Sequence, residues 1–118
     1  MLYQTWVAIE QDVLKSITSQ YLKHRITPDV PQIEIDHVAV ADLTSVANMT
    51  YIGYQLSGTD YILGSWYSRT NEKYMYVPLR ILIPADAVLF ARFDGGQVGD
   101  QITMTWHGRI PVIQEVIP

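Results

Sequence analysis

The sequence predicts a mainly β domain, an antiparallel β-sandwich or jelly roll preceded by one N-terminal amphipathic helix. Three observations predict it. Beyond Pro31, short runs rich in Val, Ile, Tyr, Phe and Trp alternate with turn residues at roughly ten-residue intervals, the rhythm of stacked antiparallel strands. Before Pro28 the apolar residues recur at helical spacing instead. The chain has 118 residues, 48% of them apolar and none of them cysteine, so it can bury a single core and must do so without disulfides.

The helix is expected over residues 2–24. Leu2, Trp6, Ile9, Val13, Ile17 and Tyr21 follow one another at steps of three or four and line one face of a 3.6-residue period. Lys23, His24 and Arg25 crowd the end where a helix dipole favours positive charge. Pro28 and Pro31 then forbid continuation. The chain thus divides into a helical arm, residues 1–27, and a β-sandwich domain, residues 28–118. The helix can lie on its own core. That is the commoner arrangement; it can also pack against the same helix of other copies, because Trp6, Ile9 and Val13 are spaced like a short coiled-coil seam.

After Pro31 the period drops to two. Ile33 and Ile35 carry the apolar phase on one parity, Val38 and Val40 on the other, so a bulge or a strand covered on both faces is expected at Asp36-His37. Met49 to Leu56 and Tyr61 to Tyr67 flank Ser57-Gly58-Thr59-Asp60 and form a hairpin. A polar loop, Ser68 to Glu72, leads into a strand from Lys73 to Ile83, whose Pro78 belongs at an edge, a bulge or a corner. Ala87 to Phe93 is the next strand. The glycine-rich stretch Asp94 to Asp100 connects it to Gln101–Trp106, His107-Gly108 turns the chain, and Ile110 to Ile117 is the last strand.

The chemistry points away from catalysis. The formal net charge is −4, and residues 1–25 carry three basic against two acidic side chains, which leaves the β body with an excess of five acids. A nucleic-acid binder needs a basic stripe along the phosphate backbone, and none is present. No positively charged leader or continuous apolar stretch opens the chain, so a soluble protein made in a cytoplasm, with no membrane partner, is expected. The three histidines, His24, His37 and His107, sit in no metal-binding motif. Asp36 and His37 are neighbours on a strand and so point to opposite faces. A His–carboxylate metal site assembled across strands stays open as the lesser alternative to solvated or hydrogen-bonded histidines. There is no cysteine and no G-x-S-x-G elbow. The Asp94–Asp100 stretch lacks the spacing and distal Glu of a calcium loop and reads as turn chemistry. No catalytic residue, metal or cofactor is assigned, and no enzyme is expected.

Tyr76 to Pro84, then Ala87 to Phe93, then Gly95-Gly96-Gln97-Val98-Gly99-Asp100 leading through Met104 to His107-Gly108, resemble the closing strands of small β-sandwich or jelly-roll proteins of bacteriophage virions. The N-terminal helix is not part of that pattern. The resemblance implies a virion structural protein: a capsid decoration (cement) subunit or a small head or tail component. Its partners would be copies of itself, a trimer being favoured, and a major capsid or other virion protein. Charged residues make up only 17% of the chain, and the uncharged Tyr, Thr, Ser and Gln surface suits such contacts. The expected interface is the helix face of Trp6, Ile9 and Val13 with the extended segment Pro28 to Ile35, including Ile33 and Ile35. The alternative is a carbohydrate- or receptor-binding β module, which would present Trp66 and Trp106 as a stacking platform. A third reading, a small barrel enzyme, would require His37 and His107 to converge with acids in a cleft.

Overall fold

The computed structural model describes residues 2–27, 30, 32–45, 49–67 and 74–112. They form eight strands: β1 (Leu2–Val13), β2 (Gln20–Arg25), β3 (Gln32–Asp42), β4 (Met49–Leu56), β5 (Thr59–Trp66), β6 (Tyr74–Pro84), β7 (Val88–Asp94) and β8 (Gln101–Val112). Two four-stranded sheets result, ordered β1-β8-β3-β6 and β2-β7-β4-β5, with every pairing antiparallel. Their inner faces meet in one core, in which Leu14, Ile26, Ile33, Ile35, Ile52, Ile83, Leu89, Phe93, Ile102, Met104 and Trp106 are all buried. The expected β-sandwich is present.

The expected N-terminal helix is not. Residues 2–13 are β1, paired residue for residue with β8 from Leu2↔Val112 to Val13↔Gln101. Residues 20–25 are β2, paired with β7. The helical spacing of Leu2, Trp6, Ile9 and Val13 coexists with a period of two. Trp6 and Ala8 turn inward, while Val7, Ile9 and Val13 lie exposed on the outer face, so the supposed stripe is split between two faces. The segment is also rich in β-branched and aromatic residues, and a full-length ladder with β8 outweighs weak helical preference. Leu14, Leu22 and Ile26 fasten the segment into the common core. The backbone N–H of Leu14 donates to Asp100 O at 2.7 Å, and that of Ile26 to Ala87 O at 2.9 Å.

The parity switch in β3 is a bulge, as its sequence pattern requires. The register of β3 against both β6 and β8 shifts between Ile35 and His37, so Ile33 and Ile35 before the bulge and Val38 and Val40 after it all face the core. Pro78 lies on the edge strand β6 opposite His37, at the same irregularity. The β4–β5 hairpin is also as expected, though its turn is tighter. Leu56 pairs with Thr59, and only Ser57 (φ 52°) and Gly58 (φ 78°) lie between them, the left-handed pair of a type I′ turn.

His107-Gly108 does not turn the chain. β8 runs straight through it to Val112. Gly108 is there for proximity: a Cβ on it would stand 2.5 Å from Glu34 O of the neighbouring strand. Pro28, Pro31, the polar loop Ser68–Glu72 and the expected last strand beyond Val112 lie outside the described residues.

Candidate functional site: a histidine–carboxylate cluster on an open sheet face

The bulge has a chemical consequence. In a regular strand Asp36 and His37 would point to opposite faces, but the extra residue lets both reach the outer face of the β1-β8-β3-β6 sheet. Because β8 continues through His107, that residue lies directly opposite His37. Their rings stack at 4.6 Å with 10° between planes. Asp36 serves both rings. Its Oδ1 and Oδ2 each lie 2.9 Å from His107 Nδ1, and its Oδ1 lies 2.5 Å from His37 Nδ1. Tyr76 of β6 tilts against His37 with ring centroids 5.3 Å apart.

Three side chains able to ligate a metal thus stand together, with their ligand atoms within 4.8 Å of one another. They are half-buried, with 31–43% of each side chain exposed. Partial burial would raise the Asp36 carboxyl, but the hydrogen bond and charge of His107, joined by those of His37, outweigh it and hold the group below its ordinary value. Beside the cluster, Arg109 donates to Glu34 Oε1 at 2.9 Å and lies 4.1 Å over the Tyr3 ring. Its guanidinium is thereby hydrogen-bonded to Glu34, with the Asp36 charge acting on it without a hydrogen bond.

The arrangement offers two imidazoles and one carboxylate on an open sheet rather than in a cleft. Sequence reasoning named the histidines but separated Asp36 from His37 by strand alternation. The signal that unites them was visible: the parity switch from Ile33 and Ile35 to Val38 and Val40 is itself the bulge. What hid the pairing of His37 with His107 was the reading of His107-Gly108 as a turn.

The expected interface residues separate. Ile9 and Val13 are exposed on the outer face of β1, at 59% and 45%. Trp6 points the other way and is half-buried at the sandwich rim, edge-on to His24 at 5.8 Å, where His24 Nδ1 meets Glu10 Oε1 at 3.0 Å. Ile33 and Ile35 are fully buried in the core, so they form no contact surface. Trp106 is fully buried too, and Trp66 packs half-buried against the core, so the two make no exposed platform.

The outer face of the second sheet is covered in part by its own side chains, while Ile62 of β5 stays exposed. Phe90 is fully buried there, with the Tyr21 ring edge-on at 5.3 Å. The Tyr21 hydroxyl donates to Asp60 Oδ2 at 2.8 Å, and Arg92 lies 4.1 Å over the Tyr51 ring.

No protein-family model matches the chain, and no curated protein matches it. Among solved structures, the chain is similar to a chain in the structure of the infectious bursal disease virus Gx strain, with a TM-score of 0.41 and 13% identity. That similarity covers 92% of this chain, which spans 32% of the viral chain's length.

Proposed function

We propose that the protein is a non-catalytic structural assembly subunit that binds further protein through the outer face and free edge of β1. One observation carries this reading. Among the described residues β1 is a twelve-residue edge strand, and it exposes Tyr3, Val7, Ile9 and Val13 at 45–59% on one face. A long edge strand presents unpaired N–H and C=O groups, and an apolar alternation on it makes it a template for a second chain. Tyr76 and Leu82 of β6 are exposed at the opposite edge of the same sheet. A shallow hollow of about 230 Å³ lined by Tyr3, Gln32, Glu34, Leu82 and Pro111 gives it relief.

Within that reading, the finer assignment is a small virion component, a capsid decoration subunit in particular. Its support is the resemblance of the β6–β8 segment to phage virion proteins. Native mass by light scattering tests the assembly reading. A closed oligomer is expected, and Ile9→Glu should dissociate it while leaving the melting temperature within a few degrees, because the side chain is exposed. A monomer at all concentrations that also fails to bind undecorated capsids would overturn it. The carbohydrate-binding alternative is weakened by the burial of Trp106.

A further inference from the structure

We propose that Asp36, His37 and His107 bind a divalent transition-metal ion of the zinc class, with the remaining coordination positions facing solvent. The proposal is independent of the assembly reading. It rests on three features of the cluster.

The first is the donor set. Two imidazole nitrogens and one carboxylate oxygen suit Zn²⁺, Co²⁺ or Ni²⁺, whereas Mg²⁺ and Ca²⁺ prefer oxygen donors alone. The second is convergence. Both Nδ1 atoms are directed at the same carboxylate, at 2.5 and 2.9 Å. Around a four-coordinate zinc, with metal–nitrogen distances near 2.0–2.1 Å, neighbouring donors stand about 3.3 Å apart. An ion therefore needs each nitrogen–oxygen gap to widen by less than about 1 Å, together with a shift of each ring proton to Nε2. The third is support. Both histidines stand on paired strands in direct register, and the carboxylate is delivered by a bulge in one of them, so none of the donors depends on a loop. Of the guanidinium groups on the two flanking strands, that of Arg109 on β8 is held by Glu34 and Tyr3, and that of Arg80 on β6 is exposed in the span opposite the bulge.

Half of each donor side chain or more is covered, and the rest opens outward from the sheet. The ion would thus keep at least one position for water or for a side chain of a bound partner, as sites with three protein ligands do. A carboxylate between two imidazoles is also a stable hydrogen-bonded triad without any ion, and the experiment must separate the two.

The test uses the tag-free full chain, titrated with ZnCl₂ and, in parallel, with MgCl₂ and CaCl₂. Calorimetry reads the stoichiometry, and nitrogen-detected NMR reads the three histidine rings. One zinc ion per chain is expected, with no uptake of magnesium or calcium at the same concentration. The ring signals of His37 and His107 should move, and those of His24, which pairs with Glu10 elsewhere, should not. His37→Ala and His107→Ala should each weaken zinc binding at least about tenfold. Asp36→Asn should weaken it too, and His24→Ala should leave it unchanged. Unmoved His37 and His107 rings at saturating zinc, or equal binding by wild type and both alanine variants, would overturn the proposal. The NMR arm decides the matter on wild-type protein should a variant fail to fold.

Discussion

At the scale of single residues, the most consequential group outside the histidine cluster is Asp42, a carboxyl only 2% exposed at the end of β3. Its Oδ1 accepts the backbone N–H groups of Thr44 and Ser45, each at 3.0 Å. Its Oδ2 and the Oδ2 of buried Asp100 both lie within 3.2 Å of where a Cβ on Gly96 would stand. Asp100 in turn accepts from Gln97 N at 3.0 Å and from the Ser45 hydroxyl. Two carboxyls so placed share a proton rather than both ionise. Burial first, and then Asp100, push Asp42 up to about 6, from an ordinary 3.8 in the unfolded chain. The folded state therefore holds a proton that the unfolded state releases. The stabilisation is complete below about pH 4 and is lost as pH rises through about 6. Denaturant midpoints should accordingly fall between pH 4 and 6.5, and Asp42→Asn should flatten that slope. Its amide oxygen can still accept from Thr44 and Ser45, and its NH₂ can donate to Asp100. A wild-type midpoint that does not fall across that range would contradict the assignment. The sequence shows Asp94 to Asp100 only as turn chemistry. Nothing local to Asp42 announces that the far end of another connection will close over it.

At the scale of elements, the β3–β8 pair carries both the bulge and the cluster. Gly108 keeps that pair close, since a Cβ there would press on Glu34 O at 2.5 Å and on Ile33 Cγ2 at 3.1 Å. Gly108→Ala should cost roughly 1–3 kcal/mol by equilibrium unfolding, the usual penalty for overpacking. It should also weaken zinc uptake, because it forces apart the strands that hold His37 and His107. Several elements were legible in the sequence. The hairpin was, through Ser57-Gly58, and so was the bulge, through the parity of four apolar residues. Pro78 was legible as an edge, bulge or corner residue because proline cannot complete a ladder. β1 was not. Its apolar residues satisfy two periods at once, and only pairing with a strand about a hundred residues away chooses between them. The straight passage of β8 was hidden for a like reason. His-Gly is ordinary turn chemistry, and the steric demand that calls for Gly108 comes from Glu34 on another strand.

At the scale of the whole molecule, the N-terminal segment belongs to both sheets, β1 at the edge of one and β2 at the edge of the other. Ala8, Leu14, Leu22 and Ile26 from this segment are buried. A chain lacking residues 1–27 should therefore lose its cooperative thermal transition and bind a hydrophobic dye, where removal of a detachable arm would leave the transition intact. The same pairing has a consequence in time. Among the described residues β1 pairs only with β8 and β2 only with β7, so both strands wait for partners made much later. At roughly 5–20 residues per second, β1 waits on the order of ten seconds on the ribosome before Gln101–Val112 exists to receive it. During that interval only the β4–β5 hairpin can close from adjacent sequence. Glu10, Gln11 and Asp12 then interrupt the apolar run of a strand that would otherwise seek a neighbour nascent from the same messenger.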